Sequence, residues 1–241
     1  MHVVRDDLLR GGTKERGLRP VVEDLVRGGA TRFVYASPFC GYAQIALATT
    51  VVPLGAAAIV FSDVAPGGAT LHPYSLEARA HGAEVHPCAT LADAEARADA
   101  YTRAHPGAVK LPLGFACSAF HAAYVAAIRV EWQRLLATVG RRPRHVFVPV
   151  GSGTLLRAFA EALDGSVDIH AIDVRVLALE DPRLAVLDTL PRVTVHRAVQ
   201  PFAQPSDQPP PFPSNPYYDA KLLPFVDALA EDGSVWWNVA R

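Results

Sequence analysis

The sequence predicts an α/β fold with mainly parallel strands. Short β-branched and aromatic runs alternate along the chain with Ala- and Leu-rich runs of helical period, the pattern of repeated strand–helix–strand units. The chain has 241 residues, half of them apolar, enough for one substantial core or two small ones.

Each element follows from its residues. Arg16 to Val26 reads as a helix and Arg32–Ala36 as a strand; Gly41 to Thr50 is helical, and Ala57–Phe61 is a second buried strand. A Pro-Gly-Gly turn is expected at 66–68. Tyr74 to His81 suits a helix, ended by Gly82 in the left-handed position just past it. Glu84–His86 is a strand, and Thr90 to Ala104 an amphipathic helix capped by Thr90 or Asp93. Lys110–Gly114 is a strand end or turn. Ser118 to Val139 is the longest helix, with apolar residues three and four apart. Arg144–Val150 is a strand, Gly151–Thr154 a turn and Leu155–Leu163 a helix. Val167–Val176 and Val193–Val199 read as strands. Residues 201–216 hold seven prolines and form an extended surface loop or linker. Asp219–Leu229 is helical, and Ser234–Val239 ends the chain as a strand.

Composition excludes disorder, a collagen repeat and a disulfide scaffold. A net charge of −1 gives no sign of a surface built for polyanions. Cys40, Cys88 and Cys117 are odd in number and share no metal or redox spacing, which points to a reducing compartment. The N-terminus is charged where a signal peptide is apolar, and the weakly polar stretch Gln44–Phe61 is broken by Pro53 and Gly55 and spans no membrane. A soluble cytoplasmic protein is expected. The nine histidines show no metal spacing, so no metal site is expected. Of 23 basic residues only Lys14, Lys110 and Lys221 are lysines.

Two places carry chemistry. Gly151-Ser152-Gly153-Thr154 lies where a strand hands over to a helix. Unobstructed N–H groups there point at an anion and the helix dipole favours it, although small-residue turns also serve packing. The turn is neither a Walker loop nor the dinucleotide fingerprint. Lys14 follows two glycines at a helix entry, where the dipole and burial would favour a neutral, nucleophilic amine; a solvated surface lysine is the plainer alternative. A nucleophilic lysine and a phosphate cradle together are what pyridoxal phosphate requires.

The residues resemble fold-type II pyridoxal-phosphate enzymes, in particular the branch of 1-aminocyclopropane-1-carboxylate deaminase and D-cysteine desulfhydrase. The opening Val4-Arg-Asp-Asp-Leu-Leu and Gly11-Gly-Thr-Lys14-Glu-Arg carry the resemblance first. Then come Ser37-Pro-Phe-Cys-Gly41-Tyr-Ala-Gln44, Lys110-Leu-Pro-Leu-Gly114, Val148-Pro-Val-Gly-Ser-Gly-Thr-Leu155 and Asn215-Pro-Tyr-Tyr218-Asp-Ala-Lys221, in the family's order. The resemblance implies two α/β lobes with twisted, mainly parallel sheets and the cofactor in the cleft between them. The larger would comprise 1–36 plus 115–241, and the smaller 37–114. It implies that Lys14 holds the cofactor as a Schiff base and shuttles protons. Gly151, Ser152, Gly153 and Thr154 would bind the phosphate, Ser37 would help bind a substrate carboxylate, and Tyr218 would stand near substrate or cofactor. Tyr218 is equally accountable as core packing, and Lys221 reads as structural.

The departures shape the expected function. The family's Asn in the Ser37 turn is replaced by Phe39 or Cys40, the phosphate loop has one glycine fewer, and the chain is short at both ends relative to the family. Asn238 is the candidate partner of the pyridine nitrogen; a neutral amide would leave the ring unprotonated and a weaker electron sink. The expected activity is a deamination, β-elimination or related lyase reaction at Cα of an amino acid, in a protein that pairs as a homodimer. An alternative enzyme reading is a bacteriophage DNA-modification enzyme that processes, for instance by decarboxylation, an amino acid linked to a base; the near-neutral charge argues against it. A third is a non-catalytic protein folded around the cofactor.

Overall fold

The chain starts with a short strand that the sequence pattern does not reveal, β1 (His2–Arg5), then a 3-10 turn at Asp6–Leu8 and α1 (Lys14–Arg27). There follow β2 (Arg32–Ser37), α2 (Ala43–Val51), β3 (Ala57–Asp63), α3 (Pro73–Ala80), β4 (Glu84–Cys88), α4 (Leu91–Ala104) and β5 (Ala108–Leu111). The second half holds α5 (Ser118–Val139), β6 (His145–Val150), α6 (Thr154–Ala162), β7 (Asp168–Asp173), α7 (Pro182–Leu187) and β8 (Val193–Arg197). It ends in a 3-10 turn at Asp219–Leu222, α8 (Leu223–Leu229) and β9 (Val235–Asn238). This computed structural model describes residues 1–65, 70–163 and 165–241; the turn expected at 66–68 lies outside them.

The chain divides into two units, Met1–Thr13 with His121–Arg241, and Lys14–Phe120. The second unit carries a parallel four-stranded sheet in the order β4-β3-β2-β5. The first carries a parallel five-stranded sheet in the order β1-β9-β6-β7-β8. Residues 14–36, expected with the larger lobe, belong instead to the four-stranded unit. The reason is pairing: β2 lies between β3 and β5 in register, and α1 packs on α2. Residues 115–120 follow for the same reason, since the 3-10 turn at Leu113–Phe115 packs on β2.

Local chemistry sets the boundaries. Thr90 caps α4, its hydroxyl accepting from Asp93 N–H at 3.1 Å, while the Asp93 carboxylate accepts from Ala89 N–H at 3.1 Å, a reciprocal capping arrangement. Gly82 takes φ +90° just past α3. Lys110, whose position the sequence leaves unexplained, holds α4 to β5 through Glu95 at 2.5 Å and Asp99 at 2.6 Å.

The segment rich in proline is no free linker. Lys221, buried, donates to the Pro201 carbonyl at 2.8 Å and lies near those of Gln200 and Phe202. Phe212 meets Trp236 edge-on at 5.1 Å. Lys221 is therefore structural, as the sequence suggests. Among the described residues no helix is long and apolar enough to cross a membrane.

Three histidines 25 and 26 positions apart meet on adjacent strands. His145 Nδ1 lies 3.1 Å from His170 Nε2, and His170 Nδ1 lies 3.0 Å from His196 Nε2, with His170 stacked on Phe147 at 4.7 Å. Burial, then the neighbouring His196 and His145 rings, push the His170 pKa down to about 4. An unfolded histidine takes up its proton near pH 6.5. The folded state is therefore favoured above that pH and loses stability as pH falls from about 6.5 towards about 4. Thermal unfolding at pH 7 and pH 4.5 is expected to show a lower Tm in acid. His170→Phe, which keeps the stacking, is expected to reduce that drop.

Candidate active site

The chain reaches Lys14 through a pinned backbone. Thr13 N–H donates to the Val239 carbonyl at 2.8 Å, and its hydroxyl lies 2.5 Å from the Tyr124 hydroxyl. Val239 N–H in turn donates to the buried Asp219 carboxylate at 2.6 Å, and Ala240 N–H to the same group at 3.2 Å. Burial raises the Asp219 pKa well above the usual carboxylate range. Gly12, at φ +63°, makes the turn that brings the chain into α1.

In the four-stranded unit, the Lys14 side chain rests on the 110–115 segment. Its Nζ lies 3.5 Å from the Gly114 carbonyl oxygen and 5.3 Å from the centre of the Phe115 ring. Gly114 and Phe115 both take positive φ, at +71° and +60°, and Gly114 N–H donates to the Tyr35 hydroxyl at 3.2 Å. A bulky residue at positive φ is strained, and such strain is characteristic of sites where geometry matters more than local stability. Burial lowers the Lys14 pKa to about 8. A normal lysine near 10.4 is almost wholly charged at neutral pH; Lys14 holds a far larger share of nucleophilic free amine.

The Ser37 turn belongs to the same unit. Ser37 is fully buried at the end of β2 and its hydroxyl donates to the Pro38 carbonyl at 3.0 Å. A Cβ at Gly41 would lie 3.0 Å from Pro38 Cγ, Pro38 O and Ser37 Oγ, so a larger residue would force these neighbours to give way. Gln44 holds it from below, its Nε2 donating to the Phe39 and Gly41 carbonyls at 3.2 and 3.0 Å. Its Oε1 is buried and unpartnered among the described residues.

The five-stranded unit carries the expected anion turn. Gly153 stands at φ +79° as the N-cap of α6, with no side chain to satisfy the first N–H groups of the helix. A Cβ there would meet Leu187 at 3.1 Å. Ser152 and Thr154 place their hydroxyls 3.0 Å apart at the helix entry. Tyr218 lies against this turn, since a Cβ on Gly151 would come 3.2 Å from its Cε1. The donor set suits a phosphate: two hydroxyls and a helix N-terminus, with glycines where side chains would intrude.

Asn238 is fully buried on β9, and its Nδ2 donates to the Pro213 carbonyl at 2.8 Å. The atom left without a partner among the described residues is Oδ1. This alters the sequence expectation, because an acceptor suits a ring nitrogen that carries a proton, not a bare one. The structure thus brings Lys14 onto the Gly114 segment and Tyr218 onto the Gly151 turn, while Ser37 and the Asn238 amide nitrogen are engaged by main-chain carbonyls. The Asp219–Val239–Thr13 chain of hydrogen bonds has no local signature in sequence. Among the described residues no group of His, Cys, Asp and Glu could hold a metal ion.

Comparison with known proteins identifies the family. A family profile described as pyridoxal-phosphate dependent enzyme matches residues 3–209. No curated protein matches the chain. Among solved structures, an ACC deaminase homologue superposes with a TM-score of 0.79 at 18% identity, covering 99% of this chain and 83% of that one. A threonine deaminase from T.th. gives 0.70 at 18% identity, covering 99% and 86%. A fungal L-serine ammonia-lyase from Rhizomucor miehei gives 0.68 at 15%, covering 99% and 87%.

Proposed function

Because the chain belongs to the family of pyridoxal-phosphate dependent enzymes, we propose that it is a lyase or deaminase acting at the α-amino group and Cα of an amino-acid substrate. The observation that carries this reading is the desolvated Lys14 amine, with its pKa lowered to about 8, on the strained Gly114–Phe115 segment. Bound pyridoxal phosphate supplies a carbonyl that captures amines and a conjugated ring that takes up electrons from Cα.

The residues of the chain do the rest. Lys14 Nζ would be the amine that holds the cofactor and the group that takes or returns the proton at Cα of the substrate. Ser152, Thr154 and the first N–H groups of α6 would hold the phosphate, while Tyr218 supports the turn at Gly151. The Ser37–Gly41 turn would offer the substrate carboxylate the uncapped N-terminus of α2, since the Ser37 hydroxyl is bonded to Pro38 and the Phe39 and Gly41 N–H groups to Asp63 and Pro38. Asn238 Oδ1, buried and unpartnered among the described residues, would be the acceptor for a protonated ring nitrogen. Asp219 fixes the Val239 backbone, which in turn holds Thr13.

The test is to load the purified protein with pyridoxal phosphate and add single amino acids. A lyase or deaminase shifts the cofactor absorbance and releases a 2-oxo acid and ammonia, or a β-substituent. A cofactor band that no amino-acid substrate perturbs would favour a non-catalytic protein.

A further inference from the structure

The Ser37 turn carries a set of aromatic rings that an aliphatic amino acid would not need. The Phe39 ring lies 5.6 Å from His72, edge-on at 64°, and His72 lies 4.8 Å from Tyr74 at 71°. Tyr74 meets Tyr42 at 5.6 Å and 82°. Tyr42 is buried, whereas Phe39, His72 and Tyr74 each keep part of their surface exposed. Phe39 stands two residues beyond Ser37, and it or Cys40 takes the place where the resemblance puts an asparagine.

The rings are held in place. Phe39 N–H donates to the Asp63 carboxylate and its carbonyl accepts from Gln44. His72 caps α3, its Nδ1 accepting from Tyr74 N–H at 3.2 Å, which leaves the proton of the neutral ring on Nε2. A fixed series of edge-to-face rings presents both faces and edges to a planar group, and contacts of that kind need no hydrogen-bond pattern on the ligand.

We infer that Phe39, His72 and Tyr74 select substrates in which the amino-acid group carries a planar ring, whether an aromatic side chain or a nucleobase. The inference rests on the Ser37 turn being the substrate site of the proposed function, and it names the substrate class of that site. A ring stacked or set edge-on against this cluster is expected to improve binding about tenfold.

The test uses the protein loaded with pyridoxal phosphate, titrated with L-alanine, L-phenylalanine and β-(uracil-1-yl)alanine while the cofactor absorbance is followed. The expected result is half-saturation at concentrations about tenfold lower for at least one ring-bearing amino acid than for alanine. Preference for phenylalanine assigns the ring to a free aromatic side chain; preference for the uracil compound assigns it to a base. Phe39→Leu, which keeps apolar bulk, and His72→Ala are each expected to bring the ratio to alanine towards one. Equal half-saturation for all three compounds, or a ratio unchanged in both variants, would overturn the inference while leaving the cofactor reading intact. Absence of a cofactor band in the loaded protein would overturn the function beneath it, and the ring preference with it.

Discussion

Lys14→Arg is expected to lower turnover by at least about a thousandfold and to abolish covalent retention of the cofactor through dialysis. A guanidinium stays protonated at any working pH and cannot act as the nucleophile. Positioned proton transfer alone is worth roughly 10²–10⁴-fold, and loss of the covalent step adds to it. The structure explains why lysine works at this position. Its amine is desolvated to a pKa of about 8 and, among the described residues, has a long 3.5 Å contact to the Gly114 carbonyl and lies 5.3 Å from the centre of the Phe115 ring. The sign of the shift gives a second reading of the same substitution. Below pH 8 the amine charges, so recapture of added pyridoxal phosphate by the wild-type protein is expected to accelerate between pH 7 and 9. Lys14→Arg removes this dependence. Because a permanent charge is disfavoured in this desolvated place, the melting temperature of the variant, measured alongside, separates lost chemistry from lost folding.

The largest expected effect on stability falls at Trp237. Its ring is fully buried on β9, meets Phe159 edge-on at 4.7 Å, and its Nε1–H donates to Asp6 Oδ2 at 2.9 Å. Trp237→Ala is expected to cost about 3–5 kcal/mol, a large part of the total stability of an ordinary domain. Trp237→Phe retains most of the packing and loses the hydrogen bond to a buried carboxylate, a cost of about 1–3 kcal/mol. Urea unfolding of the two variants separates packing from hydrogen bonding: near-equal losses would place nearly all of the effect in the bond to Asp6.

The elements that sequence reading placed well are those with long or strongly patterned runs. The 22 residues of α5 repeat apolar side chains at helical spacing and end where expected. The buried strands β2, β3 and β6 are continuous apolar runs, characteristic of parallel sheets covered on both faces. By contrast β1 is four residues long, and its edge position is defined only by pairing with β9, some 230 positions away in the chain. The six-residue α7 depends on an Asp181 cap whose side chain accepts from Arg183 N–H, too short for a period to show. The histidine series on β6, β7 and β8 has no spacing of its own, because parallel register alone brings those positions together.

The candidate site was legible in the same uneven way. Lys14 and the Gly151–Thr154 turn announce themselves through residue type and position at helix starts. Their surroundings do not: the Gly114–Phe115 backbone at positive φ beside Lys14 and, within the five-stranded unit, the Thr13–Tyr124 hydroxyl pair and the Asp219 bond to Val239 N–H are all long-range. Asn238 shows the limit most plainly. Its residue type suggested a neutral partner to a bare ring nitrogen, but the Pro213 carbonyl takes the amide N–H and leaves an acceptor. Tertiary contacts that occupy one half of an amide reverse what the other half can recognise.

The central claim is that Lys14 is the residue that binds pyridoxal phosphate, and one measurement tests it most directly. The loaded protein is treated with borohydride, digested and mapped by mass spectrometry. A single stable pyridoxyl adduct is expected on the peptide containing Lys14, with Lys110 and Lys221 unmodified because one is engaged by Glu95 and Asp99 and the other, itself buried, by main-chain carbonyls. An unmodified Lys14, or an adduct on Lys110 or Lys221 in its place, would contradict it.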